Sequence, residues 1–254
     1  MLEVLFRDDQ LVAVHKPSGL LVHRTKLDAG ERRWLLQLLR AQLRRRVYPV
    51  HRLDKGASGV MLFALQREVA SALGELVRGC RLHRTYVAVV RGLPPEAGEI
   101  DHPLAKRLDP AELRGDAREK PRRPPRPTLT RYRRLATAEL PHRVDRYPTS
   151  RYSLLELQPL TGRRHQLRRH LHHLSHPIIG DSSYGTGRHN RLFTQLFGCR
   201  RLLLACVELR FDHPLTGAPV TVTAPLADDL APVLDGLGWT ERLPPAWRPG
   251  SLPV

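Results

Sequence analysis

The sequence is poor in cysteine and in acidic residues, and it contains no long apolar run. Its three cysteines, Cys80, Cys199 and Cys206, form neither an even set nor a CxxC pair, so we expect reduced thiols. No apolar run approaches the length of a membrane span. The first residues lack the charged segment and apolar core of a secretory signal. These absences predict a cytoplasmic protein without membrane contact.

Motifs that bind nucleotide cofactors are also missing. There is no Walker loop, and the segment 185–187 is followed by Arg-His-Asn, so it fails the GxGxxG pattern. Residues 56–59 do not fit the GxSxG nucleophile elbow. His172 and His176 have the i, i+4 spacing of metal ligands, but no Cys or Glu cluster completes a site. We therefore expect neither a cofactor nor a metal ion.

Positive charge is abundant. The chain has 42 Lys and Arg residues against 25 Asp and Glu, a formal net charge of +17. Such a charge is typical of proteins that bind nucleic acid, and arginine suits bidentate phosphate contacts. A GC-rich genome also enriches arginine and proline, so the charge leaves the partner open. No helix pairs a basic face with Trp or Phe, as a membrane-surface helix does.

The hydrophobic pattern predicts an α+β fold, because strands outnumber helices without regular βαβ alternation. The stretch Pro94–Pro127 is rich in Pro and Arg and is predicted to be a long basic loop. Strands are expected at about 2–6, 11–14, 20–22, 60–65, 84–90, 128–140, 152–157, 201–211 and 220–224. Helices are expected at about 31–46, 66–77, 163–174 and 226–237.

One polar stretch leads directly into a predicted buried strand. It reads His51-Arg52-Leu53-Asp54-Lys55-Gly56-Ala57-Ser58-Gly59 and is followed by the apolar run 60–65. A carboxylate at the mouth of a rigid strand, beside basic side chains, is placed for chemistry on an anionic partner. The alternative is a turn whose Asp accepts backbone N–H groups.

This stretch resembles the catalytic motif of the RluA family of RNA pseudouridine synthases. Three further stretches, at 12–23, 84–92 and 161–185, resemble other motifs of that family in the same order. The resemblance implies the pseudouridine synthase fold, with a mixed, largely antiparallel central sheet, flanking helices and a central catalytic cleft. It implies one catalytic domain over about 1–240, containing the loop at 94–127. An irregular tail at 241–254 and no S4-type RNA-binding domain are expected.

The resemblance also implies roles for single residues. Asp54 matches the catalytic carboxylate, and Arg168 matches the arginine that pairs with it and favours its charged form. Tyr86 matches the tyrosine that stacks on the target base. Arg52 matches the residue that replaces the flipped uridine in the RNA helix. The other residues expected to contact RNA are His51, which also shapes the turn, Arg163, Arg164 and His165.

Three positions depart from the family pattern. Ala57 stands where threonine is usual, Arg84 replaces the commoner lysine, and Ala205 stands where histidine is usual. Ala57 lacks a hydroxyl that could support the Asp54 turn. None of the three changes touches Asp54, Tyr86, Arg52 or Arg168.

Within the family, the likeness is closest to members that modify tRNA, as seen in Met1–Leu5, Arg146–Tyr152 and Gly162–Leu171. It implies a tRNA substrate, with the uridine at conventional tRNA position 65 as the target, and a monomeric isomerase. Three alternatives stay open. They are an enzyme for large-subunit ribosomal RNA, a non-catalytic RNA-binding protein on the same scaffold, and a basic DNA-binding protein.

Overall fold

The fold is described from a computed structural model of the 254-residue chain. The structure describes residues 1–23, 33–105 and 124–251. Within these ranges ten strands form one mixed, largely antiparallel sheet that five α-helices accompany, so the predicted α+β class is confirmed. The strands are β1 Val4–Arg7, β2 Leu11–Lys16, β3 Tyr48–Pro49, β4 Ser58–Ala64, β5 His83–Arg91, β6 Ala97–Asp101, β7 Leu129–Leu140, β8 Ser150–Pro159, β9 Leu204–Asp212 and β10 Pro219–Thr223. The helices are α1 Leu35–Leu43, α2 Arg67–Arg78, α3 Gln166–His173, α4 Gly187–Phe197 and α5 Ala231–Gly236.

The sheet runs in the order β1-β2-β4-β9-β5-β8-β7-β6, with β3 added beside β4 and β10 beside β9. Strands β4 and β9 pair in parallel, with Ser58 opposite Ala205 and Gly59 opposite Cys206. Gly59 has a φ of +108°, and a Cβ there would lie 2.0 Å from the carbonyl oxygen of Cys206. Only glycine permits this approach, which fixes the position of the polar turn that precedes β4.

Strand β4 is buried over its whole length, because both faces of the sheet are covered there. On one face Met61 packs with Leu35 and Leu39 of α1. On the other face Leu62 belongs to the main core, which also contains Leu73 of α2. A strand locked between two cores gives the turn at its N-terminal end a rigid support.

The predicted strand at 20–22 is wrong. Leu21 makes only an isolated bridge to Trp34. Its carbonyl oxygen and that of Val22 accept the N–H groups of Leu35 and Leu36 in the first turn of α1. These carbonyls satisfy the free donors of the helix start and so are not available for a sheet.

The predicted helix 31–46 is shorter in the structure. It begins at Leu35, since Arg33 and Trp34 are not helical, and it ends at Leu43 before Arg44, whose φ is 51°. Asp28 and Glu31, whose spacing in the sequence is that of a capping box, lie outside the described residues.

The predicted loop 94–127 is wrong over Ala97–Asp101, which forms β6 and pairs with β7. Only Ile100 of this strand is buried, so it has no alternating apolar pattern to mark it. The centre of the loop, residues 106–123, lies outside the described residues.

Helix α4 has no counterpart among the predicted elements. It packs His189, Leu192 and Phe193 inward. The predicted last helix at 226–237 is a short 3-10 helix, Asp228–Leu230, that runs into α5.

The segment 240–251 packs on the rest of the fold. It contains two further 3-10 helices, Thr240–Arg242 and Pro245–Trp247, and it buries Leu243 and Trp247 in the main core. All three cysteines are free thiols. No helix in the described part of the chain is long and apolar enough to cross a membrane.

Candidate active site

Asp54 lies in the turn between β3 and β4, and buried polar contacts hold that turn. Lys16, fully buried at the end of β2, donates through Nζ to the carbonyl oxygens of Lys55 at 3.1 Å and Ala57 at 2.7 Å. A third bond of 2.9 Å goes to the carbonyl of Pro17. Burial lowers the pKa of Lys16 to about 7, and the nearby charge of Arg201 acts in the same direction. The ammonium group thus binds the turn directly to the sheet.

Ser18 and Gly19, just after β2, add two further bonds to the same segment. The Ser18 hydroxyl donates to the carbonyl of Gly56 at 2.7 Å, and the Gly19 N–H donates to the carbonyl of Lys55 at 2.8 Å. With the bonds from Lys16, these contacts tie the turn to β2 on both sides of Gly56. The carboxylate of Asp54 is therefore carried by a rigid backbone.

Arg168, in α3, contacts two carboxylates. Its Nη1 donates to Oδ2 of Asp54 at 3.0 Å. Its Nε and Nη2 donate to the two carboxylate oxygens of Asp181 at 2.7 and 2.8 Å. Burial disfavours the charge on Arg168, but the hydrogen bonds and charges of Asp181 and Asp54 outweigh it and raise its pKa. The predicted pairing of Arg168 with Asp54 is thus present.

Asp181 is the fully buried partner in this network. Its Oδ1 also accepts the backbone N–H groups of Ser183 at 2.8 Å and Tyr184 at 3.0 Å. Burial acts to raise the pKa of Asp181, but Arg168 and the backbone donors outweigh it and lower that pKa. The ring of Tyr184 lies 5.1 Å from the guanidinium carbon of Arg168, within the range of a cation–π contact. Three groups therefore fix the orientation of the arginine.

His165 is the residue that precedes α3, and its backbone is in the left-handed region with φ of 54°. Its Nε2 lies 3.8 Å from Oδ1 of Asp54, and its Nδ1 lies 3.2 Å from the hydroxyl oxygen of Tyr184. A non-glycine residue in this region stores strain, which is common at functional sites. The structure thus places the imidazole beside the carboxylate.

Tyr86 comes from β5, where it lies opposite Cys206 of β9 and Leu157 of β8. It is 6% exposed, and burial strongly raises its pKa. Its phenol therefore stays protonated at neutral pH. Nearby Arg84 donates to the carbonyl of Thr161 at 3.1 Å, which joins β5 to the segment before α3.

Of the other residues predicted to contact RNA, His51 is bonded to the sheet, whereas the three arginines are exposed or half-buried. His51 accepts the N–H of Leu62 at its Nε2, at 3.1 Å, and burial lowers its pKa to about 3. Arg52 and Arg163 are exposed, and Arg164 is half-buried. All eight predicted site residues line one cavity of about 360 Å³: His51, Arg52, Asp54, Tyr86, Arg163, Arg164, His165 and Arg168.

Comparison with known proteins identifies the family of the chain. The family model for RNA pseudouridylate synthase matches residues 10–173. The chain belongs to this family. The resemblance inferred from the motifs is thereby confirmed.

Matches to individual members of this family cover nearly the whole chain. A tRNA pseudouridine synthase C of Pectobacterium carotovorum is 47% identical over 244 residues, which is 96% of this chain and 64% of that protein. The protein of the same name from Vibrio cholerae is 44% identical, and the match covers 96% of this chain and 98% of that one. Among solved structures, human RNA pseudouridylate synthase domain containing 1 matches with a TM-score of 0.68 and 27% identity. That match covers 99% of this chain and 90% of the human one.

The structure accommodates the three departures from the family pattern. Ala57 is 1% exposed and Ala205 is 2% exposed, and both belong to the main core. Their small apolar side chains leave no polar atom to satisfy at these buried positions. Arg84 keeps the charge of the usual lysine and adds the bond to Thr161.

Three residues of the network are absent from the predicted site: Lys16, Asp181 and Tyr184. Each lies in a stretch that resembles a family motif, but the motif does not tell which of its residues is buried against Arg168 or under Asp54. For Lys16 and Asp181 the sequence does carry a signal, since a charged residue next to buried apolar residues needs a partner of opposite charge or hydrogen bonds. Within the described ranges, no group of three or more His, Cys, Asp or Glu side chains is placed to hold a metal ion.

Proposed function

We propose that this RNA pseudouridylate synthase family member is an isomerase that converts a uridine of tRNA into pseudouridine, with Asp54 as its catalytic carboxylate. The observation that carries the proposal is the pairing of Asp54 with Arg168 at the wall of a cavity of about 360 Å³. The tRNA substrate is supported by relatives named tRNA pseudouridine synthase C, one of which the chain covers over 98% of its length. The finer target is the uridine at conventional tRNA position 65.

The reaction breaks the C1′–N1 bond of uridine, turns the base and joins C5 to C1′. Asp54 acts either as a nucleophile at C1′ or C6 or as the base that removes the 2′ proton. Each of these roles needs an ionised carboxylate. The Arg168 guanidinium donates a hydrogen bond to this carboxylate at 3.0 Å. Because Asp181 fixes that guanidinium, its charge is already oriented before the substrate arrives.

The target base must leave the RNA helix to reach Asp54. The aromatic ring of Tyr86, on the cavity wall, offers a stacking surface that accepts any base face, an interaction that is typically worth about 1–3 kcal/mol. Exposed Arg52, two residues before Asp54, is placed to enter the gap that the extruded uridine leaves. Arg163 and the net charge of +17 attract the phosphate backbone.

The experiment is pseudouridine mapping on unmodified tRNA and ribosomal RNA transcripts by carbodiimide-dependent primer-extension stops. Wild type is compared with Asp54→Asn and with the control Glu99→Gln. Glu99 pairs with the exposed Arg131 at 2.6 Å and is not part of the cavity wall, so its variant should remain active.

An Asp54-dependent stop in tRNA supports the proposal, and its position tests the assignment to uridine 65. A stop found only in ribosomal RNA overturns the tRNA substrate. An Asp54→Asn variant that modifies RNA as fast as wild type overturns the role of Asp54. The absence of stops in both RNAs, with RNA binding intact, overturns the enzymatic proposal as a whole.

A further inference from the structure

We propose that His165 is a second catalytic residue, whose Nε2 accepts the proton that C5 of the target uracil loses. The inference rests on the proposed function, because C5 of uracil has to lose its proton only if uridine is isomerised to pseudouridine. When C5 joins C1′, it still carries its hydrogen. Aromatic uracil is restored only when a base removes that proton.

The geometry places His165 at the reacting centre. The imidazole lines the same cavity as Tyr86 and Asp54, and its Nε2 is 3.8 Å from Oδ1 of Asp54. A uracil ring that reaches the carboxylate therefore also lies within reach of the imidazole. The left-handed backbone at His165 directs the side chain there at a cost in conformational strain, which a purely superficial RNA contact would not require.

Two of the other titratable groups on the cavity wall are poorly suited to this step. Burial keeps the phenol of Tyr86 protonated, and it cannot accept a proton. His51 already uses Nε2 to accept the N–H of Leu62, and burial opposes its protonation. If Asp54 is bonded to C6, its carboxylate is not free to accept the C5 proton. On the other two routes the carboxylate is free again once the C5–C1′ bond has formed, and it then competes with His165 for that proton. His165 lies on the same wall, with its Nε2 3.8 Å from the carboxylate of Asp54 and its Nδ1 held by Tyr184.

Tyr184 acts as the positioning residue for this imidazole. Its hydroxyl lies 3.2 Å from Nδ1 of His165, its ring lies against Arg168, and its N–H is bound to Asp181. An imidazole that donates its Nδ1 proton to the hydroxyl oxygen of Tyr184 has Nε2 as its basic nitrogen. Tyr184 thus links the orientation of the base to the network that orients Asp54.

The step accounts for every proton and every electron pair. The electron pair of the C5–H bond returns to the ring and restores its C5–C6 double bond, while the proton passes to Nε2. The imidazolium then releases this proton to water. Water supplies the proton that N1 gains after the C1′–N1 bond is broken. Nothing is oxidised or reduced, and no other reactant is needed.

The test is a single-turnover measurement with tRNA transcripts that carry either uridine or 5-deuterouridine. His165→Asn tolerates the left-handed backbone but cannot carry the proton. We expect its rate constant to fall about 100-fold or more, with RNA affinity retained. We also expect its isotope effect at C5 to exceed that of wild type, because proton removal then limits the rate. His173→Gln, an exposed histidine on the same helix, is the control and should match wild type.

Tyr184→Phe provides a second test, since it keeps the ring beside Arg168 and removes only the hydroxyl. It should lower the rate less than His165→Asn and raise the same isotope effect. If His165→Asn weakens RNA binding at an unchanged maximal rate, or slows the reaction without changing the isotope effect, the inference is overturned. If wild type itself forms no pseudouridine, the proposed function fails instead. An unfolded His165→Asn protein, seen in its melting temperature, leaves Tyr184→Phe to decide.

Discussion

Arg168 and Asp181 form a buried bidentate pair, with both carboxylate oxygens 2.7–2.8 Å from guanidinium nitrogens. This pair occupies Nε and Nη2, so Nη1 is the nitrogen that faces Asp54. The orientation of the arginine is therefore set by a residue on the opposite side from the cavity. A guanidinium suits this arrangement because it is a planar fork, whereas a lysine ammonium cannot serve two carboxylates at fixed angles.

Asp181→Asn should therefore impair both stability and activity. Removing one charge of a buried ion pair costs about 3–5 kcal/mol, and the asparagine hydrogen bonds offset only part of that loss. We expect a loss of unfolding free energy near the lower end of this range and a turnover at least about 10-fold below wild type, because Arg168 is no longer fixed against Asp54. Denaturant unfolding and single-turnover modification measure the two effects.

The control for this experiment is Glu99→Gln, because Glu99 is 52% exposed and pairs with the exposed Arg131. Its loss should cost no more than about 1 kcal/mol. Equal stability losses in the two variants would show that the buried Arg168–Asp181 pair contributes no more to the free energy of unfolding than a surface ion pair.

Gly59→Ala should destabilise the fold by at least about 3 kcal/mol, since two defects add. The residue has a φ of +108°, and a Cβ would lie 2.0 Å from the carbonyl oxygen of Cys206. Strands β4 and β9 would have to separate just after the Asp54 turn. Gly217→Ala isolates the conformational part, because Gly217 has a φ of +70° with no atom within 4 Å of a Cβ.

Thermal and denaturant unfolding of both variants give the comparison. A Gly59→Ala protein as stable as Gly217→Ala would mean that the contact between β4 and β9 is loose.

Much of the fold follows from local patterns. Strands β2, β5, β7 and β8 and helix α2 were predicted close to their observed bounds, because each carries an apolar run or an apolar period. Strand β6 was missed since its stability comes from pairing with β7, and only Ile100 faces the core. Helix α4 was missed because it starts with Gly-Arg-His-Asn, and its apolar residues lie in its second half.

Some residues of the site could be predicted from local motifs and others could not. Asp54, Tyr86 and Arg168 could be assigned because they lie in motifs of recognisable order. The roles of Asp181 and Lys16 depend on contacts between segments that are distant in sequence, such as the 39 and 41 residues that separate Lys16 from the carbonyls of Lys55 and Ala57. Such contacts are set by the sheet order, which no local pattern contains.

Lys16 gives the stability of the fold a defined pH dependence. Burial lowers its pKa from 10.5 to about 7, so between these values the unfolded chain binds a proton that the folded protein does not. The state that binds more protons is favoured by acid, and stability attributable to Lys16 therefore rises with pH across this interval. Below about pH 7 lysine is charged in both states, and the cost of burying its charge is constant.

Lys16→Met removes this titration together with the bonds to the Asp54 turn. We expect the unfolding free energy of wild type, relative to the variant, to increase between pH 7 and pH 9 by at most about 1.4 kcal/mol per pH unit. Urea unfolding of both proteins at several pH values measures the difference, from which titrating groups that do not interact with Lys16 cancel. A difference that is flat between pH 6 and pH 9 would mean that Lys16 keeps its ordinary pKa in the folded state. Its three carbonyl contacts would then compensate fully for its burial.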